Sequence, residues 1–142
     1  MDWFKINGTA YNVLVTSLEE NFNVLYGENT GRTLDEGAPM VLDPLGTFFG
    51  HTVEVRRRSG YEAEFDALYR LVSRPVAVGF DIDVVHCQDM ANYKGYISSG
   101  KRGLKKIDEK TNTVYWDALS LNIIPMKAQV IPDDEQTPNQ IW

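Results

Sequence analysis

The residues best equipped for chemistry in this 142-residue chain are His51, His86 and the single cysteine, Cys87. A cysteine nucleophile needs a base within hydrogen-bond reach. Neighbours in an extended strand point to opposite faces, so His86 cannot serve Cys87 directly. His51 approaches either of them only through the fold. A metal site would require His51, His86, Cys87 and Asp89 to converge, and no ligand spacing in the chain indicates that. The pair is therefore read structurally, with the free thiol packing as a small apolar group.

Other patterns are equally unproductive. Asp81-Ile82-Asp83 places two carboxylates on one strand face, as a divalent cation requires. So short a pattern recurs by chance, and no nucleotide-binding βαβ framework accompanies it, so solvated carboxylates are expected. Gly27, Gly31 and Gly37 match no phosphate-binding loop, and no helix begins directly after them. Two basic clusters, Arg56-Arg57-Arg58 and Lys101-Arg102 with Lys105-Lys106, suit phosphate or an acidic partner, but each also reads as a solvated turn in an acidic chain. Two histidines outside any suggestive turn support no Ser/His/Asp arrangement. No catalytic, cofactor-binding or metal-binding residue is assigned, and the chain is expected not to be an enzyme.

The positioning elements are mostly strands. The chain carries 14 Lys+Arg against 20 Asp+Glu, a formal charge of −6, with 43% hydrophobic residues. This is the composition of one globular domain, and the acidic balance argues against a dedicated nucleic-acid binder. No apolar run is long enough to span a membrane, no signal peptide is expected from Met1-Asp2-Trp3-Phe4-Lys5, and one cysteine excludes an intramolecular disulfide framework. Asn7-Gly8 suits a type I′ turn joining residues 3–6 to residues 9–15 in a hairpin. A third strand is expected at 21–26, with a possible helical turn at 17–20. A long Gly-rich surface loop is expected over 27–39, the kind of loop often used to touch a partner.

A short strand at 40–42 and a longer one at 47–56 follow. The single helix is placed at about 61–73. Ser59 and Glu62 have capping-box spacing, Tyr61, Phe65, Leu68, Tyr69 and Val72 form one apolar stripe, and Pro75 stops it. Strands are expected at 76–80, 83–86, 92–98, 113–124 and 127–131, with a turn near 100–103. Residues 1–132 form the domain and 133–142 a loose tail. The fold class is mainly β (α+β), a β-sandwich or barrel with one packed helix.

The phrases Ile6-Asn7-Gly8-Thr9-Ala10-Tyr11-Asn12-Val13, Gly31-Arg32-Thr33-Leu34-Asp35-Glu36-Gly37, Asp43-Pro44-Leu45-Gly46-Thr47 and Tyr93-Lys94-Gly95-Tyr96-Ile97-Ser98-Ser99-Gly100 resemble small tail-region proteins of phages and prophages of Gram-positive hosts. The order of strands, loop and helix is similar to the tail-tube and distal-tail superfamily. That resemblance implies a tail-tube type of sandwich and a non-enzymatic subunit of a virion tail, made in the bacterial cytoplasm. It would lie in the tube, tail tip or baseplate. It also implies partners: copies of itself in a ring, usually of six, other tail proteins, and DNA only in passing through a lumen; the −6 charge suits an acidic lining that repels phosphate and equally suits plain solubility.

Under this reading the subunit contacts are Phe22, Leu25, Tyr26, Arg32, Leu34 and Met40, with Arg56, Arg57 and Arg58 receiving an acidic neighbour. A head–tail connector or tail terminator is the alternative within this class. From another class comes a carbohydrate- or peptide-binding module using Trp3, Tyr93, Tyr96, Tyr115 and Trp116. Exposed aromatics in a groove favour that module, buried ones favour scaffolding, and a pocket gathering His51, His86 and an Asp would favour an enzyme.

Overall fold

The computed structural model describes residues 3–132 and 139–140. The elements are β1 (Phe4–Ile6), β2 (Val13–Tyr26), β3 (Gly31–Arg32), β4 (Met40–Val41), β5 (Pro44–Arg57), α1 (Glu62–Val72), β6 (Phe80–His86), β7 (Asp89–Asp108), β8 (Thr113–Pro125), β9 (Val130–Ile131) and β10 (Asn139–Gln140). The chain is mainly β with one helix, as expected. All strand pairs are antiparallel; the main sheet runs β1-β6-β7-β8-β5-β9-β10 with β2 on β5, and β3-β4 is a separate ribbon.

That sheet is folded over on itself. β6 pairs with residues 89–95 of β7, and β8 pairs with residues 95–108, so the two partners overlap only at Gly95. A strand that changes partners in this way makes the corner between two layers. Laid flat, β6 and β2 would stand four strand spacings apart, about 19 Å. Instead His86 Nδ1 at the end of β6 lies 2.6 Å from Glu20 Oε1 on β2. The corner needs Gly95, because a Cβ there would sit 2.9 Å from the Tyr93 ring and 3.1 Å from Ile123 Cγ2. The two layers are thus built from one bonded antiparallel sheet.

Between the layers lies one core. Ile6, Ile82 and Val84 come from the β1-β6 layer, and Val53, Val55, Leu119, Leu121 and Ile123 from the β5-β8 layer. Phe65, Leu68 and Val72 of α1 complete the cluster. Tyr61, assigned to the helical stripe, is instead the half-exposed N-cap residue. The capping box does not form: no side chain caps the helix, and Glu62 Oε1 takes the Gly60 N–H at 3.4 Å and sits 3.6 Å from Arg57 Nη1. The nearby arginine charge competes for the carboxylate that the box would have used.

Several expected boundaries move because long-range pairing overrides local signals. Asn7-Gly8 does turn with positive φ, 51° and 78°, but the hairpin stops at the single bridge Ile6↔Thr9. β1 then pairs with β6 and β2 with β5. β2 is one 14-residue strand with a bulge at Thr16, so neither a helical turn at 17–20 nor a separate strand at 21–26 exists. The glycines near 100–103 make no turn; β7 runs through them with register shifts, and the chain reverses at 109–112, where Asn112 has a φ of 54°. Residues 76–79 are irregular, 80–86 form one strand, and only Val130–Ile131 is strand in the segment 127–131. Within the expected loose tail, residues 139–140 pair with β9, and the remainder lies outside the described residues.

Candidate functional site

The inner face of the β2-β5 pair changes character along its length. Val53 and Val55 are fully buried in the core. The next inward residue of β5 is His51, directly opposite Glu20 of β2. His51 Nε2 lies 3.2 Å from Glu20 Oε1, and His51 Nδ1 lies 2.8 Å from the Tyr93 hydroxyl. His86 reaches the same Glu20 oxygen from the opposite layer. Four strands, β2, β5, β6 and β7, are joined by this network.

Burial sets its protons. Loss of solvent pushes the His51 pKa below 6.5, against an upward pull from the Glu20 carboxylate and with a small further lowering from His86. Burial pushes the Tyr93 hydroxyl far above its ordinary value, with Glu20 adding to the rise. Tyr93 therefore keeps its proton and donates to Nδ1 of a neutral His51, whose Nε2–H donates to Glu20; His86 Nδ1–H donates to the same oxygen. This network ties the two layers together at this level.

Sequence reasoning named both histidines, named Tyr93 only as an aromatic of a binding surface and gave Glu20 no part in a site, and no ligand spacing pointed to the histidines converging. Only the register that sets Glu20 across from His51, and the fold that brings His86 over, reveals the cluster. Cys87 is an exposed turn residue with a φ of 55°, not a strand residue, and the Asp89 side chain accepts from the Met90 N–H at 2.8 Å. Asp81 and Asp83 share a face as expected, and Asn92 Nδ2 donates to both at 2.9 Å. No group of three or more His, Cys, Asp or Glu side chains among the described residues is arranged to hold a metal ion.

Beyond His86 the same inner face lies open. The His86 ring meets the Phe49 ring edge-on at 5.2 Å, and Phe49 meets Phe22 at 6.4 Å, but Phe22 is 70% exposed. β2 and β5 continue as an arm whose end carries the β3-β4 ribbon. The segment expected to be a plain loop is internally bonded: Gly27 N–H to Asp43 O at 2.7 Å, Asp43 N–H to Thr30 Oγ1 at 2.8 Å, Thr33 N–H to Pro39 O at 2.9 Å, and Arg32 Nη1 to Ala38 O at 3.2 Å. Leu34 at its tip is fully exposed, and Leu25, Tyr26, Met40, Val41, Leu42 and Leu45 are about half exposed. Phe22, Leu25, Tyr26, Arg32, Leu34 and Met40 are thus brought together on one arm.

Arg56, Arg57 and Arg58 are not part of that group. Arg56 and Arg57 end β5, about 40 Å of extended chain away from Pro44, and Arg58 follows it. Arg56 pairs with Asp117 at 2.8 Å, and Arg57 lies over the Tyr115 ring at 4.6 Å. The β7-β8 hairpin projects at this end, past the last β5-β8 pair, Val55↔Leu119. Of the aromatics assigned to a binding groove, Tyr93 is core, and Tyr115 and Trp116 lie under cationic side chains. Trp3 and Tyr96 are about half exposed.

No helix among the described residues is long and apolar enough to cross a membrane. No known family model and no curated protein sequence matches the chain.

Proposed function

We propose that this protein is a non-enzymatic building block that assembles with copies of itself through the β2-β5 arm, as a subunit of a phage or phage-like tail. The observation that carries the assembly reading is the arm itself. It extends past the layer that covers the core and exposes apolar side chains on both faces. Along β2 the only pairing among the described residues is to β5, so a 14-residue edge is open to another chain. Monomers ordinarily blunt such edges and avoid such patches. Covering one exposed Leu or Phe is worth about 1.5–3 kcal/mol, so a partner on the arm gains substantially.

The tail assignment, the ring of about six and the placement in a tube, tip or baseplate are supported by the sequence phrases and element order described above. A connector or terminator ring uses the same arm in the same way. The buried Tyr93 and the Tyr115 ring beneath Arg57 favour a scaffold over a glycan-binding groove.

The test is light scattering and electron microscopy of the purified protein across a concentration series. Rings, or growth into longer polymers, are expected. A monomer at every concentration would refute self-assembly, and monodisperse binding of glycans instead would move the assignment to the binding module.

A further inference from the structure

The arm has a matching receptor at the other end of the molecule, and the charges of the two ends are opposite. Residues 21–46 carry four carboxylates (Glu28, Asp35, Glu36, Asp43) against Arg32, a formal −3. Residues 101–116 carry five cations (Lys101, Arg102, Lys105, Lys106, Lys110) against Asp108 and Glu109, a formal +3 in a chain of −6. Arg56, Arg57 and Arg58 add to the basic end. Arg102 is already committed to Asp66 at 2.9 Å, but Lys101, Lys105 and Lys106 are exposed.

At the basic end a cleft of about 240 Å³ is lined by Arg56, Arg57, Ser59, Lys105, Trp116 and Asp117. Leu104 beside it is exposed. At the acidic end the most exposed large apolar residue among the described residues, Leu34, is followed directly by Asp35 and Glu36. An apolar side chain flanked by two carboxylates matches a cleft with an aromatic wall and a cationic rim.

From this complementarity, and on the self-assembly reading above, we infer that the Leu34-Asp35-Glu36 tip of one copy seats in the Arg56–Arg57–Lys105–Trp116 cleft of a second copy. The carboxylates of the incoming tip displace contacts that matter little to the fold. Arg56 holds Asp117 and Glu54 on the surface, and exposed pairs of this kind exchange readily. Arg57, whose Nη1 lies 3.6 Å from Glu62, and Lys105 join Arg56 in facing the two incoming carboxylates. Because donor and receptor occupy opposite ends of β5, the contact is heterologous: each copy offers an arm forward and a cleft behind. Repetition produces a closed ring if the rotation closes and a filament if it does not.

A charge-swap experiment on the full chain tests it. One variant carries Asp35→Lys with Glu36→Lys, the other Lys105→Glu with Lys106→Glu; all four sites are exposed, and circular dichroism checks that both variants fold. Sedimentation at low salt should show each variant associating at least about tenfold more weakly than the unmodified protein. Their equimolar mixture, which restores one native and one inverted contact, should recover association. Raising the salt should weaken the unmodified assembly. If the unmodified protein assembles but both folded variants assemble as well as it does, or the mixture fails to recover, this contact is wrong and self-assembly stands. If the unmodified protein is monomeric at every concentration, both readings fall.

Discussion

His51 illustrates how a titratable residue is turned into a fastener. Its ring is fully buried, stacked 5.5 Å from Tyr93, and held by a hydroxyl on one nitrogen and a carboxylate on the other. Its pKa in the folded chain lies below the 6.5 of the unfolded chain, so below that pH the unfolded state binds more protons. Stability from this residue is therefore complete above about pH 6.5 and is lost as the pH falls from there through the folded value. Urea midpoints measured from pH 8 to pH 5 should fall on acidification, and His51→Gln should flatten that part of the curve. Gly95 is the second residue on which the fold depends. Gly95→Ala should cost about 1–3 kcal/mol, because the added methyl meets the Tyr93 ring, Ile123 and the Ile124 carbonyl at a corner with no room to give. Denaturant titration measures it.

Among the elements, α1 and the β7-β8 hairpin are tied by one side chain. The Arg102 guanidinium lies 3.9 Å over Tyr69, 4.3 Å over Trp116 and 5.5 Å over Phe65, and ion-pairs with Asp66. Its Nε has no hydrogen-bond acceptor among the described residues, and the surrounding π faces offset that loss. Arg102→Ala should cost about 2–3 kcal/mol in lost packing and cation–π attraction, and Arg102→Lys should not restore it, because an ammonium cannot lie flat between rings. Asp66→Asn should cost less than about 1 kcal/mol, since that carboxylate is one-third exposed. Chemical denaturation of the three variants checks the order.

On the scale of the whole molecule, the folded-over sheet leaves two hairpin ends projecting in opposite directions, one acidic and apolar, the other basic with an aromatic cleft. The arm is separable from the core. Gly27 and Asp43 are bonded at its neck, so replacing residues 28–42 with a short turn leaves the Glu20–His51 level and everything below it intact. That deletion should leave a folded monomer, with an unfolding midpoint within about 1 kcal/mol of the parent, while abolishing assembly. Light scattering with thermal melts reads both outcomes. Loss of folding, or intact particles from the shortened chain, would contradict the division of labour between core and arm.

Composition and local pattern determined that this is a β-rich chain with a single helix at Glu62–Val72. A helical apolar stripe and a proline stop are interactions within a few residues, and their energies are present before the chain folds. The same locality made Asn7-Gly8 legible as a turn. Which strand each turn would serve was decided only in three dimensions. Val13–Tyr26 pairs with Pro44–Arg57 and not with Phe4–Ile6, because a long apolar-lined register outweighs one turn. The Glu20–His51–His86–Tyr93 network and the opposition of acidic arm to basic cleft were also decided there. The network depends on residues such as Glu20 and His86 meeting across a sheet that turns back at one glycine, and no spacing along the chain encodes that meeting.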